Sequence, residues 1–124
     1  CVQQALDCGY VTTLEGRRRA IPEIASANRH TRSLGERLAI NSVVQGSAAD
    51  LIKAAMVAVQ RRIDSDDLPL KPLLQIHDEL IFETPADLAK THADTICAEM
   101  ERALKLRIPL KAEAGIGKNW MEAK

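Results

Sequence analysis

The stretch that decides the fold is Gln75-Ile76-His77-Asp78-Glu79-Leu80. It places an acidic turn between two short, largely apolar runs, residues 70–76 and 80–83, which have the length and composition of strands. The residues between these runs are predicted to form the tip of a hairpin. Because successive strand side chains point to opposite faces, Asp78 and Glu79 are expected to point in different directions.

This acidic turn is what a metal-dependent phosphoryl-transfer site requires. Magnesium is usually held by one or two carboxylates together with substrate phosphates, so one outward Asp78 supplies half of such a site. His77 stands beside it as a base, a ligand or a hydrogen-bond donor. The alternative is that His77-Asp78-Glu79 is only a solvated turn, and the hexapeptide alone does not exclude it.

The first half of the chain combines a hairpin with helices. Residues 10–14 and 18–21 have strand character around Glu15-Gly16, and Pro22 ends the hairpin. Ser26 and Asn28 can cap a helix over residues 31–41, which Gly46 is expected to interrupt. Residues 47–50 form a capping box, which predicts the start of a further helix.

The second half is predicted to add a hairpin, a helix and a strand. Residues 84–87 form a second capping box with proline at the first helical position, and the helix is expected to run to about Leu106. Residues 109–114 are predicted to form a last strand. The order of elements predicts an α+β fold with an antiparallel sheet.

Composition is that of one globular domain of 124 residues, with 46% hydrophobic and 27% charged residues. With one Phe, one Tyr and one Trp, the chain lacks the aromatic platform typical of single-strand binding by base stacking. No apolar run is expected to span a membrane, and no signal peptide is expected. Cys1, Cys8 and Cys97 lack metal-ligand spacing and are expected to be reduced thiols of an intracellular protein.

The net charge of zero conceals an asymmetry. Residues 16–37 contain six Arg and two Glu, a balance of +4, whereas residues 64–104 contain ten acids and three bases, a balance of −7. A basic segment followed by an acidic one suits a protein that contacts a polyanion and cations, although plain surfaces also carry such clusters.

Two sets of basic and polar side chains are candidates for DNA contact. Arg37, Asn41 and Gln45 are spaced four residues apart, so on a helix they form a stripe of hydrogen-bond donors about 12 Å long. The minor groove offers acceptors that vary little with sequence, and such a stripe suits it; a solvated polar face is the alternative. Residues 17–19 are all arginine, and they are candidates for contact with DNA phosphates. The alternative is that they form a basic strand edge that resists aggregation.

These blocks together resemble the C-terminal part of family A DNA polymerases, the bacterial DNA polymerase I type. Four blocks carry the resemblance in order: residues 9–11 with Thr13, 16–19 and Pro22; residues 36–37, 41, 45–50 and 53; residues 75–79; and Gly117 with residues 119–120. The second and third blocks are the most specific, and the resemblance covers nearly the whole chain.

The resemblance implies a role for each matching residue. Asp78 is similar to a palm aspartate that binds the two catalytic Mg²⁺ ions, Glu79 to its less important neighbour, and His77 to a residue near the primer 3′ terminus. The positions of Arg37, Asn41 and Gln45 are similar to those that contact the primer–template duplex. Arg17 and Arg18 are further candidate DNA contacts.

The resemblance also implies what lies outside the sequence. We expect residues 1–124 to be the C-terminal palm portion of a longer, monomeric polymerase, with the upstream palm, thumb and fingers segments absent. Those segments carry the other metal-binding aspartate and the site for deoxynucleoside triphosphates, so the isolated chain is expected to be inactive. A bacterial parent is expected in the cytoplasm, associated with the nucleoid, with no membrane partner.

Some alternatives stay open at this point. Bacterial members commonly have proline where this chain has Val43, and residues 41–45 also resemble the theta- and nu-type repair polymerases, so the subfamily is open. The chain is alternatively a non-catalytic duplex-binding module. A less favoured hypothesis is a phosphohydrolase with a His77–Asp78 metal dyad, for which His30 and His92 are poor additional ligands.

Overall fold

The computed structural model describes residues 1–123. Within that range it contains two two-stranded antiparallel sheets and four α-helices. The α-helices are α1 (Val2–Cys8), α2 (Arg29–Asp66), α3 (Ala89–Glu101) and α4 (Trp120–Ala123), and the strands are β1 (Tyr10–Thr12), β2 (Arg18–Ala20), β3 (Lys71–Ile76) and β4 (Glu79–Glu83). The predicted α+β class with antiparallel pairing is confirmed.

The chain divides into two compact units, and α2 contributes to both. The first unit comprises residues 1–51, and the second begins at Ile52.

The first unit begins with α1, which ends where Gly9 adopts a φ of 77°. Glycine carries no Cβ, so this left-handed conformation costs it little, and its N–H caps the helix by donating to the Ala5 carbonyl. β1 and β2 then pair with Tyr10 opposite Ala20. The aliphatic side chains of this unit form one core, made of Ala5, Val11, Ile21, Ile24 and Ala39, with Val2, Leu38 and Val43 packed against it.

The start of α2 follows the capping prediction. Asn28 Oδ1 accepts hydrogen bonds from the N–H groups of His30 at 2.9 Å and Thr31 at 3.4 Å, two donors that have no partner within the helix. Ser26 Oγ in turn accepts from the Asn28 N–H. Asn28 is therefore the residue that fixes where α2 begins.

The predicted interruption of this helix at Gly46 is wrong. α2 is continuous over 38 residues, and residues 47–50 lie inside it rather than at a helix start. The physical reason is that the capping-type side chains have other partners. Ser47 and Asp50 bind the loop between β1 and β2, so the residues that resemble a cap serve a tertiary contact.

α2 also corrects the expectation about membrane spans. By length and composition alone it is apolar enough to cross a membrane, with an 18-residue stretch of mean hydropathy 1.3. This is weak evidence, because core helices of proteins outside membranes have the same length and composition. Asp50, which is buried in α2 and ion-paired with Arg17, is a costly residue for a membrane span.

The second unit packs the end of α2 against a hairpin and α3. Its core consists of Val59, Ile63 and Leu70, with Leu68, Phe82, Ile96 and Met100 packed against it. β3 and β4 form the predicted hairpin, with a register shift between Pro72 and Leu74. Proline has no N–H to give to the ladder, so an irregularity at this position is expected.

Three predictions in the second unit are wrong. No side chain caps the start of α3, because the hydroxyl of Thr84 bonds the His92 ring instead. The helix ends at Glu101, five residues before Leu106, where the Arg102 side chain donates to the Ala98 carbonyl.

The predicted last strand over residues 109–114 is also not formed. The N–H of Ala112 donates to the Glu101 carboxylate at 3.0 Å, so this part of the backbone bonds a side chain rather than a neighbouring strand. The chain then enters α4 at Trp120, close to the predicted turn at residues 115–117.

Candidate functional site

The acidic turn lies at the tip of the β3–β4 hairpin. Ile76 pairs with Glu79, so His77 and Asp78 form a two-residue connection between the strands. Such a short turn fixes the directions of its side chains, because its backbone must match the twist of both strands. The sequence-based location of Asp78 at the hairpin tip is confirmed.

His77 has an unusual backbone conformation, with a φ of 53°. Few non-glycine residues adopt this left-handed region, although histidine is among those enriched there. The side chain of Gln75 supports the conformation, because its amide Nε2 donates to the His77 carbonyl at 2.7 Å. The peptide group that leads into Asp78 is thus held by a side chain from β3, a role that the sequence did not reveal.

The Asp78 carboxylate is exposed and forms no ion pair or hydrogen bond with residues 1–123. Glu79 is also exposed and belongs to β4, opposite Ile76. Within the described chain, no group of three or more His, Cys, Asp or Glu side chains is arranged to hold a metal ion. The second unit therefore offers single carboxylates of a cation site rather than a complete set of ligands.

The two other histidines do not extend this turn into a metal site. His92 is buried, with 4% of its surface exposed, and its Nδ1 bonds the Thr84 hydroxyl. His30 is exposed near the start of α2. Both positions agree with the prediction that these two histidines are surface residues or have their hydrogen-bonding groups satisfied. These positions weaken the phosphohydrolase hypothesis.

The predicted stripe lies on α2 in the first unit. Arg37, Asn41 and Gln45 are all exposed and follow one another at four-residue spacing on an unbroken helix. Their Cα atoms therefore drift about 80° around the axis over about 12 Å. Because α2 continues past Gly46, all three residues lie within one unbroken helix.

The three hairpin arginines have different environments. Arg17 Nη2 lies 2.9 Å from Asp50 Oδ1, so its guanidinium is already paired with a carboxylate. The Arg18 guanidinium lies 4.8 Å from the centre of the Tyr10 ring, and Arg19 is exposed without a partner among residues 1–123. The three arginines therefore differ in their contacts, and the DNA contacts predicted for Arg17 and Arg18 stay predictions.

Thr13, Ser47 and Asp50 are the residues whose importance the sequence did not disclose. The hydroxyl of Thr13 donates to Asp50 Oδ2, and Ser47 Oγ accepts from the Leu14 N–H at 3.0 Å. The signals in the sequence were the capping-box pattern at residues 47–50 and the place of Thr13 and residues 45–50 in the blocks that carry the family resemblance, and neither predicted these contacts. A capping-box pattern that lies inside a long helix, with no loop before it, is compatible with such a tertiary role.

With this geometry described, the chain can be compared with known proteins. The model of "DNA polymerase family A" matches residues 1–122. The chain belongs to this family. Its membership confirms the resemblance drawn from the sequence blocks around Gln45 and Asp78.

The similar curated family A polymerases include several bacterial enzymes. The chain is 46% identical over 123 residues to DNA polymerase I of Bacillus caldotenax, and this alignment covers 99% of the chain and 14% of the Bacillus protein. It is 47% identical over 116 residues to the thermostable DNA polymerase I of Thermus filiformis, matching 94% of this chain and 14% of that protein. The chain thus spans about 14% of the length of these relatives.

A solved family A structure has the same fold over nearly the whole chain. It is the POL domain of Pol1 from M. smegmatis in complex with DNA primer-template and dNTP. The TM-score is 0.92 at 42% identity, and the match covers 98% of this chain and 22% of that one. Similarity at this level confirms the α+β polymerase architecture inferred from the sequence.

Proposed function

We propose that this chain is part of a DNA-directed DNA polymerase that adds nucleotides to a primer 3′-hydroxyl in DNA replication and repair. The observation that carries the proposal is the exposed Asp78 carboxylate, unpaired within residues 1–123, on a two-residue turn in a chain of this family. The match to a POL domain solved with DNA primer-template and dNTP supports it.

Within the parent, residues 1–124 form the C-terminal part of the polymerase domain, comprising palm elements and the duplex-contacting helix α2. The remaining palm, the thumb and the fingers belong to the rest of the parent, which acts as a monomer. The share of its relatives that the chain spans, 14% of their length, supports this division. The isolated chain is accordingly inactive.

The residues at the turn fit a share of a magnesium site. Carboxylate oxygens are the hard ligands that Mg²⁺ prefers, and Asp78 is exposed with no competing ion pair in the described part of the chain. We infer that Asp78 binds the two Mg²⁺ ions of the complete parent and that Glu79 plays a lesser part. Held by Asp78, Mg²⁺ would supply positive charge to offset developing negative charge and to activate the primer 3′-hydroxyl.

The chain's own side chains then orient the reacting ends. The short turn fixes the backbone position of Asp78, and the Gln75 side chain holds the peptide group before it. His77, beside Asp78, contacts the primer 3′ terminus. Orientation of this kind lowers the barrier because reactants held in place lose no further freedom in the transition state.

The stripe on α2 binds the primer–template duplex. Arg37, Asn41 and Gln45 present donors to the minor-groove acceptors, which are nearly independent of sequence. Arg18 and Arg19 are free of carboxylate partners within residues 1–123 and contact phosphates. A polymerase has to accept every sequence, and contacts of this kind provide affinity without base selection.

The decisive experiment is Asp78→Ala in the parent polymerase. Loss of a metal ligand is expected to reduce primer extension by about 10³-fold or more, because a catalytic cation is worth several kcal/mol to the transition state. The dissociation constant for primer–template is expected to change little. Asp87→Ala, at another exposed aspartate of the same unit, is the matched control and is expected to keep full extension.

The remaining outcomes separate the alternatives. Near-normal extension by Asp78→Ala would refute the metal assignment. Duplex binding without extension, even by the unsubstituted parent, would favour the non-catalytic binding module. Metal-dependent phosphatase activity of the isolated chain would favour the phosphohydrolase.

A further inference from the structure

Asp50 has an unusual environment for an acidic residue in the middle of a helix. Its side chain is 3% exposed, and both carboxylate oxygens are used. Oδ1 lies 2.9 Å from Arg17 Nη2, and Oδ2 accepts a hydrogen bond from the Thr13 hydroxyl. Because a buried carboxylate is costly unless it is paired, these two partners are a condition for placing aspartate here.

The contacts around Asp50 fasten one loop to one stretch of helix. The Thr13 Oγ1 atom also accepts from the Arg17 N–H at 3.2 Å, and Ser47 Oγ accepts from the Leu14 N–H. The loop's own backbone closes with the Thr13 N–H donating to the Arg17 carbonyl at 2.9 Å. The loop between β1 and β2 is therefore bound to residues 47–50 of α2 by three contacts, all made to the side chains of Ser47 and Asp50.

This attachment determines the relation between two candidate DNA-contacting groups of the first unit. β2 begins at Arg18, directly after Arg17. Gln45, the last residue of the exposed stripe, lies about one and a half turns before Asp50 on the same helix. The contacts that hold Arg17 against Asp50 therefore also constrain where the backbone of Arg18 and Arg19 lies relative to Gln45.

We propose that Asp50, Thr13 and Arg17 form a positioning anchor that sets the phosphate-contacting strand β2 in register with the minor-groove stripe of α2. The proposal rests on the proposed function, since it concerns binding of a primer–template duplex. In this anchor, Arg17 acts through Asp50 and does not itself contact a phosphate. The Asp50 carboxylate is buried whereas the Arg17 side chain is 55% exposed, so the pair adds little net stability, but it fixes the geometry of the loop, which suits this role.

The test compares salt dependence of duplex binding in the parent polymerase. Each phosphate contact contributes about 0.9 to the slope of log affinity against log salt. Asp50→Asn and Arg17→Met are each expected to raise the dissociation constant about tenfold, which corresponds to about 1.4 kcal/mol, with the slope unchanged. The double variant is expected to be no weaker than the weaker single one, since both substitutions release the same anchor.

Two further variants, one beside Arg17 and one on α3, calibrate this measurement. Arg18→Ala is expected to lower the slope by about 0.9, as loss of a phosphate contact requires. Asp94→Asn removes a carboxylate that is 73% exposed and paired with Lys90, and it is expected to change neither affinity nor slope. A slope lowered by Arg17→Met, together with unaltered binding by Asp50→Asn, would overturn the anchor.

A substitution pair at residue 13 keeps the test valid if Asp50→Asn fails to fold. Thr13→Ser retains the hydroxyl that donates to Asp50 and is expected to bind duplex normally. Thr13→Val retains the size but loses the donor, and it is expected to behave like Arg17→Met. Equal binding by the two residue-13 variants would overturn the anchor, whereas failure of the unsubstituted parent to bind duplex would overturn the proposed function instead.

Discussion

The methyl group of Thr13 lies directly against Gly46: a Cβ atom built at residue 46 would stand 2.6 Å from Thr13 Cγ2. This separation is far below ordinary van der Waals contact, so no larger residue fits here without movement. Thr13 cannot easily turn its methyl away, because it is β-branched and its hydroxyl is bound to Asp50. Gly46 therefore serves close packing of the loop on α2.

Gly46→Ala is expected to destabilise the protein by about 1–2 kcal/mol, although alanine gains about 1 kcal/mol in helix propensity. The overpacking against Thr13 outweighs the gain. One measurement is the midpoint of thermal unfolding of the parent. Hydrogen exchange of the amides in the first unit then shows whether the loss of stability is located there. Adding Thr13→Ser removes the methyl, keeps the hydroxyl and is expected to restore stability; a single variant more stable than the starting protein would contradict the packing argument.

Gln45→Ala is expected to weaken primer–template binding about two- to tenfold, the value of one lost hydrogen bond. The loss should be the same for every template sequence, because minor-groove acceptors vary little. Binding to a panel of duplexes with different terminal base pairs measures it. Gln60→Ala, at another exposed glutamine of α2, is the control. A loss confined to particular bases would argue against minor-groove contact by Gln45.

Thr84→Val is expected to destabilise the second unit by about 1–3 kcal/mol, because buried His92 loses the partner of its Nδ1 atom. Thr84→Ser retains the hydroxyl and is expected to cost much less. Hydrogen exchange of the α3 amides in the parent measures the difference. Equal protection of α3 in the two variants would show that the hydrogen bond contributes nothing to stability.

The thiol of Cys97 is expected to react more slowly with iodoacetamide than those of Cys1 and Cys8, which are exposed. Partial burial raises the pKa of Cys97 above its ordinary value of 9.0, and the negative charges of Glu101 and Asp94 raise this pKa further. Less of the reactive thiolate is then present at about pH 8. Labelling rates read by mass spectrometry measure the order.

The same shift has a consequence for stability. The folded state holds the Cys97 proton more tightly than the unfolded state. The protonated thiol therefore contributes fully to the free energy of unfolding below the ordinary pKa of 9.0, and this contribution is lost as the pH rises through the raised pKa. Cys97→Ser is expected to remove this alkaline dependence. An unchanged unfolding profile above pH 9 would contradict the assignment.

Local patterns in the sequence were sufficient for the two hairpins. Apolar runs around two-residue and glycine-containing turns determine strand pairing over a few residues, so the turn at Asp78 and the start of α2 at Asn28 followed from sequence alone. The exposed stripe at Arg37, Asn41 and Gln45 followed from helical spacing. The roles of Asp78 and of the stripe stay predictions until the parent is tested.

The continuous α2 and the anchor at Asp50 were decided by tertiary structure. Gly46 and residues 47–50 have the local preferences of a helix end, but a loop more than thirty residues earlier in the chain binds their side chains and the helix passes through. Likewise, Thr84 bonds His92 instead of capping α3, and Arg102 ends that helix early. The sequence by itself determined the two hairpins, the start of α2 and the family to which the chain belongs. Only packing determined whether a polar side chain caps its own helix or binds a distant segment, because both uses satisfy the same hydrogen-bonding groups.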